Sequence, residues 1–256
     1  KYPNAPILFN LLGICFNSIS KFENAIKMFA EATKINSNYA EAFYNLGTVQ
    51  KKLGRFQEAI ESYKRAIQIT PNYLDAHNNL GNIYKDLGLL NDAIESYEWA
   101  ISYGPKYAIA HINLASIYSS YDLEKALHHY QEAISIEPNF PEAHYSLGTV
   151  FSSLGQKDES MKSYEKALEL RSDYVEAHNA LSTIKKYKKN DPQIKQMKNL
   201  LKQANLMLSD KISLNFALAK ASEDLENHKD FFKFLNEGNH LNKEKLNYSI
   251  DSDLGL

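Results

Sequence analysis

The sequence is poor in three features: cysteine, net charge and long apolar runs. Its 256 residues include one cysteine, Cys15, so no internal disulfide is available and a reducing, cytoplasmic setting is expected. The 29 basic residues nearly balance the 31 acidic ones, which leaves no overall field to attract nucleic acid or an anionic membrane. We therefore expect no nucleic-acid or membrane partner, and any partner must be recognised locally.

The most apolar stretch near the start covers residues 7–16 and is interrupted by Asn10 and Gly13. It has no basic leader, so it makes a poor signal peptide. It is also too short to span a bilayer, which takes about 20 apolar residues. The first residue is Lys1 and not Met, so we expect a fragment or a processed chain.

Motifs of enzymes are missing as well. The sequence has no glycine-rich phosphate loop, no zinc-ligand spacing and no Gly-x-Ser-x-Gly elbow. No histidine or acid is tied to Cys15 by a motif, so this thiol is not expected to be a nucleophile. We predict that the chain is not an enzyme, with no catalytic residue, no metal and no cofactor.

What the sequence does contain is one pattern that recurs about every 34 residues. Its most visible part is a leucine followed by a small residue, at Leu12-Gly13, Leu46-Gly47, Leu80-Gly81, Leu114-Ala115, Leu147-Gly148 and Leu181-Ser182. An alanine, an aromatic residue and a second alanine follow at fixed distances, as in Ala59, Tyr63 and Ala66. The fifth unit has Ser160 in place of the first alanine.

The spacing predicts a helical hairpin in each unit. Counted from Ala40 as position 1, positions 4, 7, 8 and 11 share one stripe of a helix, and the alanine-aromatic-alanine set forms a stripe on a second helix. Helix-ending residues stand in register: Gly54, Gly88 and Gly155 after the first helix, and Pro71, Pro105 and Pro138 between units. One hairpin cannot bury its own stripe, so neighbouring hairpins must stack.

In this register the sequence resembles the tetratricopeptide repeat family. The second unit carries the family residues Phe43, Leu46, Gly47, Ala59, Tyr63, Ala66 and Pro71 at positions 4, 7, 8, 20, 24, 27 and 32. The resemblance implies an all-α, right-handed solenoid whose concave face binds a protein or peptide. Five repeats are predicted, at about 6–39, 40–73, 74–107, 108–140 and 141–174, with the first helix of a sixth from 175.

Two irregularities stand out. The fourth unit is one residue short, with residues 119–122 in place of the glycine-containing turn, so a tighter bend is expected there. After Lys189 the register fails, and we predict a solenoid over 1–189 followed by a helical cap over 190–256. Asp191-Pro192 should begin a helix of about 192–206, and Ser209 or Asp210 should cap the next one.

The cap contains a degenerate repeat-like hairpin, with Leu218 and Ala219 at positions 7 and 8 and Gly238 at position 27. Residues 191–246 resemble the segment that joins the repeats to the catalytic domain in bacterial fusions of tetratricopeptide repeats with a sulfotransferase. That resemblance implies an alternative function, in which the chain presents protein substrates to a catalytic domain.

Three asparagines occupy position 6, opposite the buried stripe: Asn45, Asn79 and Asn113. The repeats resemble those of the O-linked N-acetylglucosamine transferase, in which such an asparagine ladder grips a peptide backbone. An amide offers donors and an acceptor that match an extended chain. The alternative is that these amides only satisfy neighbouring helices or water. Flanking residues predicted to tune the choice of peptide are Asp75, Thr48, Asn82 and Ser116.

Other candidate sites have simpler interpretations. The histidines at position 4, namely His77, His111, His144 and His178, are expected to pack inside the hairpins, since helices about 8–10 Å apart cannot share one zinc ion. The basic run of residues 185–189 is expected to be a solvated helix end. Self-association through an exposed terminal helix remains open.

Overall fold

The computed structural model describes residues 5–246, and every regular element in that range is an α-helix. The all-α prediction is therefore confirmed. The helices are α1 Pro6–Ser18, α2 Phe22–Ile35, α3 Ala40–Lys52, α4 Phe56–Ile69, α5 Leu74–Asp86, α6 Leu90–Tyr103, α7 Ala108–Tyr118, α8 Leu123–Ile136, α9 Pro141–Ser153, α10 Lys157–Leu170, α11 Val175–Ile184, α12 Pro192–Leu200, α13 Leu208–Asp224 and α14 His228–Lys245.

The helices form two compact units that divide between Ile136 and Glu137. Unit 1 contains α1–α8, and unit 2 contains α9–α14. The two predicted domains, a solenoid up to residue 189 and a cap from residue 190, were divided where the repeat pattern ends and not by compactness. They stay a prediction. Part of the predicted cap, residues 247–256, lies outside the described residues.

Consecutive helices pair as hairpins because small residues let an aromatic ring lie flat on the first helix. In the third repeat a Cβ on Gly81 would stand 2.6 Å from Cε1 of Tyr97, well inside van der Waals contact. Tyr97 is 0% exposed, and so are Ala93 and Ala100 on either side of it. The recurring leucine-small pair and alanine-aromatic-alanine set are thus the two halves of one interface.

In the second, third and fifth repeats, the turn between the two helices depends on one glycine in the left-handed region. Gly54, Gly88 and Gly155 have φ values of 73°, 75° and 72°. In the fourth repeat no described turn residue has a positive φ. The amides of Tyr121 and Asp122 instead both donate to the carbonyl of Tyr118, at 3.0 and 2.8 Å. The fourth repeat, which is one residue shorter than the others, therefore has a tighter turn, as predicted.

Within unit 1, the first helices of successive repeats contact each other, in the pairs α1–α3, α3–α5 and α5–α7. Successive second helices make at most marginal contact. A stack whose members are closer on one side curves toward that side. The first helices therefore line the inner face of unit 1, and position 6 lies on it.

The sixth unit begins as predicted with α11, but α11 packs mainly on α13 and not on the next helix, α12, as the first helix of a repeat would. Asp191 caps α12, since its Oδ1 accepts from the amide of Gln193 at 3.0 Å, which confirms that prediction. The expected length of α12 was wrong, because the helix ends at Leu200. Leu200 and Leu206 pack on the same core, which requires the chain to turn between them.

The start of α13 also differs from the prediction. The helix begins at Leu208 with Met207 at the N-cap, and no side chain caps it. Ser209 and Asp210 lie inside the first turn, where the Ser209 hydroxyl donates to Asp210 Oδ1 at 3.3 Å. The apolar Leu208 is half-buried, so the helix starts one or two residues earlier than its polar residues indicate.

The basic run of residues 185–189 follows directly on α11, which ends at Ile184 with Lys185 as its C-cap. Lys185 Nζ lies 3.0 Å from Asp191 and 3.6 Å from Glu165, and its side chain is only 17% exposed. Tyr187 is 2% exposed, and its amide donates to Asp224 at 3.1 Å. The segment is therefore packed at Lys185 and Tyr187, whereas Lys186, Lys188 and Lys189 are exposed, as expected of a solvated helix end.

Helices α13 and α14 form the predicted hairpin, but the small and aromatic partners have exchanged helices. Gly238 on the second helix faces the ring of Phe216 on the first, where a Cβ would lie 3.0 Å from Cε1. A single core connects this hairpin to α11 and α12.

Candidate functional site

The three asparagines of the predicted ladder connect successive first helices in unit 1. Each Nδ2 donates to the position-5 side chain of the preceding repeat: Asn45 to Asn10 at 3.0 Å, Asn79 to Tyr44 at 3.2 Å, and Asn113 to Asn78 at 2.8 Å. The asparagine side chains therefore do bind neighbouring helices, which was the alternative to peptide binding. These bonds use one N–H of each carboxamide.

The rest of each carboxamide has no hydrogen-bond partner among the residues that the structure describes. Since Nδ2 must face its acceptor, Oδ1 of each residue is turned the other way. Within residues 5–246 the side-chain oxygens of Asn45, Asn79 and Asn113 accept no hydrogen bond, and all three residues are half-buried on the inner face. The ladder thus presents three fixed acceptors, each beside one unused N–H.

The flanking residues at position 9 are bound within their own hairpins. Tyr63 donates to Oγ1 of Thr48 at 3.2 Å, and Tyr97 donates to Oδ1 of Asn82 at 2.7 Å. Thr48 also donates to the carbonyl of Tyr44 at 2.9 Å, so it has no donor left for a ligand. Asn82 keeps its Nδ2, which has no partner within the described residues. Burial raises the pKa of Tyr63 to about 12, so its hydroxyl stays a donor.

Asp75 and Ser116 also lie beside the ladder. Tyr107 donates to Oδ1 of the exposed Asp75 at 2.5 Å. Ser116 donates to the carbonyl of Asn113 at 2.6 Å and accepts from Nζ of Lys85 at 3.4 Å. Asp75 is therefore an exposed carboxylate on the inner face, whereas the Ser116 hydroxyl is already engaged on both sides.

Sequence reasoning missed a set of tyrosines. Tyr39, Tyr73 and Tyr107 stand at the last position of their repeats and reach onto the next inner-face helix or the previous one. Tyr73 stacks on Tyr44 with ring centroids 4.9 Å apart, and burial raises the pKa of both hydroxyls. The signal was present, because a tyrosine recurs every 34 residues at this position.

The position-4 histidines bind the turn between repeats. Each Nε2 faces a backbone carbonyl six residues earlier: His77 with Pro71 at 2.8 Å, His111 with Pro105 at 3.2 Å, His144 with Pro138 at 2.9 Å and His178 with Ser172 at 2.9 Å. Since a carbonyl only accepts, Nε2 carries the proton. Burial lowers the pKa of His77, His111 and His178.

One of these histidines belongs to a second contact. Nδ1 of His111 lies 3.1 Å from Nδ1 of His129, and the His129 ring stacks on Tyr118. Because neutral His111 carries its proton on Nε2, its Nδ1 can only accept. Nδ1 of His129 is therefore the donor of this bond. Among residues 5–246 no group of three or more histidine, cysteine, aspartate or glutamate side chains could hold a metal ion.

Comparison with known families agrees with this geometry. One family model, described as "TPR repeat", matches residues 16–54, 51–88 and 122–155, and a second, described as "Tetratricopeptide repeat", matches 74–107 and 141–174. Together they span more than half of the chain. The chain belongs to the tetratricopeptide repeat family. The bounds of the second model are those predicted for the third and fifth repeats.

Solved tetratricopeptide repeat structures share the fold. A MamA protein is 28% identical, with a TM-score of 0.58 over 66% of this chain and 92% of its own. YrrB is 18% identical, with a TM-score of 0.57 over 69% of this chain and 92% of its own. PilF of Pseudomonas aeruginosa is 13% identical, with a TM-score of 0.64 over 91% of this chain and 97% of its own.

No curated protein sequence matches the chain. The particular resemblances to the O-linked N-acetylglucosamine transferase and to sulfotransferase fusions are not shown by these comparisons and stay predictions. Across residues 5–246, none of the helices has the length and apolar character needed to cross a membrane.

Proposed function

We propose that this tetratricopeptide repeat protein is an interaction scaffold whose unit 1 holds an extended polypeptide against its inner face. The orientation of the ladder carries the proposal. Asn45, Asn79 and Asn113 each use one N–H to bind the preceding repeat, and this bond holds Oδ1 in a fixed direction. An extended chain offers backbone N–H groups on one side at every second residue, about 7 Å apart.

Such a surface would recognise the backbone and not a particular sequence. The flanking residues then favour some side chains over others: Asp75 offers a negative charge, and Nδ2 of Asn82 offers a donor. YrrB is described as a repeat protein with an unusual peptide-binding site, which supports a peptide as the partner class for this fold. Presentation of substrates to a sulfotransferase domain is compatible with the same surface, but no described contact favours it.

The test begins with a library of random decapeptides, selected on the immobilised full chain. The affinity of a selected peptide is then measured by fluorescence anisotropy. We expect the triple variant Asn45→Ala, Asn79→Ala, Asn113→Ala to bind about a hundredfold more weakly, because three acceptors at about 1 kcal/mol each are lost. Circular dichroism should show unchanged helix content.

The matched control is Asn24→Ala, Gln57→Ala, Asn91→Ala, which removes three exposed amides from the second helices α2, α4 and α6. It should bind like the wild type. A peptide methylated at alternate backbone nitrogens should bind the wild type poorly, because it lacks the donors that the ladder accepts. Equal affinity of the wild type and the ladder variant would move the binding site elsewhere.

A further inference from the structure

Unit 2 contains a cavity of about 580 Å³ between α12, α13 and α14. This volume lies within the range of about 300–1,000 Å³ that is usual for small-molecule sites. Its apolar floor is formed by Leu201, Phe234 and Leu241. Phe234 is 8% exposed, so the floor is part of the cap's own core.

The wall of the cavity is basic. Four lysines face two carboxylates there: Lys198, Lys202, Lys211 and Lys233 against Asp230 and Glu237. Within residues 5–246, Lys198 is the only one of these lysines with a carboxylate oxygen within 4.0 Å of its Nζ. That oxygen belongs to Asp230 and lies 3.3 Å away. The excess of positive charge favours an anionic ligand.

Two of the ammonium groups are held at the floor. Nζ of Lys198 lies 5.6 Å and Nζ of Lys233 lies 5.5 Å from the centroid of the Phe234 ring. Both distances allow a cation–π contact. Lys198 has Asp230 beside it, whereas Lys233 has no carboxylate within 4.0 Å among the described residues, so an added anion would meet an ammonium group that is not neutralised.

A buried amide supplies the third element. Asn215 is 4% exposed and lines the cavity, and its Nδ2 donates to the carbonyl of Lys211 at 2.8 Å. Its Oδ1 accepts no hydrogen bond within residues 5–246, yet it is not sealed from solvent. This oxygen can therefore accept a hydrogen bond from an N–H group of a ligand in the cavity.

We propose that this cavity binds an organic carboxylate that carries an amide N–H beside the charge and an apolar side chain. The carboxylate would lie against Lys202 and Lys233, the N–H would donate to Asn215, and the side chain would rest on Phe234. This is the chemistry of an N-acylated apolar amino acid. It occurs in a free small molecule and in the last residue of a polypeptide.

The test uses isothermal titration calorimetry on the full chain with three probes: N-acetyl-leucine, its C-terminal amide, and the peptide acetyl-Gly-Ser-Gly-Leu. We expect the free acid to bind at least about tenfold more tightly than the amide, because the amide has no charge to offer the lysines. Tighter binding of the peptide than of N-acetyl-leucine would assign the site to a chain end, and equal binding would assign it to the small molecule.

The double variant Lys202→Glu, Lys233→Glu should abolish the preference for the acid. Its control is Lys195→Glu, Lys229→Glu, which makes the same change in charge on exposed residues of α12 and α14 outside the cavity. The control should retain binding. Asn215→Leu should weaken binding of acid and amide alike, with its fold checked by thermal melting.

Three results would overturn the proposal. They are absence of binding by every probe, equal affinity for acid and amide, and displacement of the ligand by inorganic phosphate at a lower concentration than by acetate. None of them depends on the ladder in unit 1, so either proposal can fail alone.

Discussion

The side-chain amide of Asn113 donates a 2.8 Å hydrogen bond to Oδ1 of Asn78, thirty-five residues earlier in the chain. The bond connects two first helices, α5 and α7, across the inner face of unit 1. Asn78 is 5% exposed, so its oxygen would become a buried acceptor with little access to water if the donor were removed.

We predict that Asn78→Ala and Asn113→Ala are coupled by about 1 kcal/mol in a double-mutant cycle on the free energy of unfolding. Urea titration followed by circular dichroism measures it. The control cycle pairs Asn113→Ala with Asn91→Ala on the exposed side of α6, where the two effects should add. A coupling of zero between Asn78 and Asn113 would show that the bond contributes nothing to stability.

Gly81→Ala should destabilise unit 1 by about 1–3 kcal/mol, because the added Cβ meets the fully buried Tyr97 ring at 2.6 Å. The ring cannot easily move, since its hydroxyl is bound to Asn82. The fourth repeat has Ala115 at the same position, 0% exposed, and provides the matched control. There the reverse change, Ala115→Gly, should be the destabilising one.

The hairpins, their number and the helix-ending residues followed from the sequence because Gly81 and its equivalents leave a visible 34-residue period. The cap was harder. Its helix α12 was predicted too long because the stretch from Leu200 to Leu206 contains no proline or glycine that would end a helix. The chain turns between them only because both must reach the same core. The burial of Tyr187 depends on this same packing and has no local signal.

The candidate site was predicted in part. The repeat register placed Asn45, Asn79 and Asn113 at position 6. It did not show that one side-chain N–H of each asparagine binds the preceding repeat. Asn10 and Tyr44 were missed because position 5 is occupied by different residue types in different repeats. Only the stacking of repeats makes them equivalent acceptors.

Stability should fall as the pH decreases from about 6.5 to 4, in part through His129. Burial and the nearby His111, His128 and Lys125 lower the pKa of His129 from 6.5 to about 4. The unfolded chain therefore binds the proton first as the pH falls. The stability that neutral His129 contributes is complete above 6.5 and is lost as the pH passes through about 4.

The measurement is the melting temperature of the wild type and of His129→Gln between pH 7 and 4. Glutamine can still donate to His111 but does not ionise, so its curve should fall less steeply. His240→Gln, on an exposed residue of α14, should follow the wild type, and Glu132 near His111 is unchanged in both variants. Identical slopes for all three proteins would exclude His129 as a contributor.

Ser20→Gly and Glu226→Gly should each stabilise the protein by about 0.5–1 kcal/mol. Both residues are in the left-handed region, with φ values of 58° and 56°, where a Cβ is strained. Thermal melting measures the gain. Lys27→Gly, at an exposed site in the middle of α2, is the control and should lose a similar amount. A loss of stability in all three variants would contradict the strain argument.

The ladder in unit 1 is made of uncharged amides, and this fixes how binding should respond to ionic strength. At 0.1 M salt the interaction between exposed charges more than about 10 Å apart is largely screened, and higher salt shortens this distance, whereas a bond between two neutral groups is little affected. Capture by Asn45, Asn79 and Asn113 should therefore persist in concentrated salt, and a washing step at high salt would remove ligands held by lysine charges while it leaves backbone-bound peptides in place.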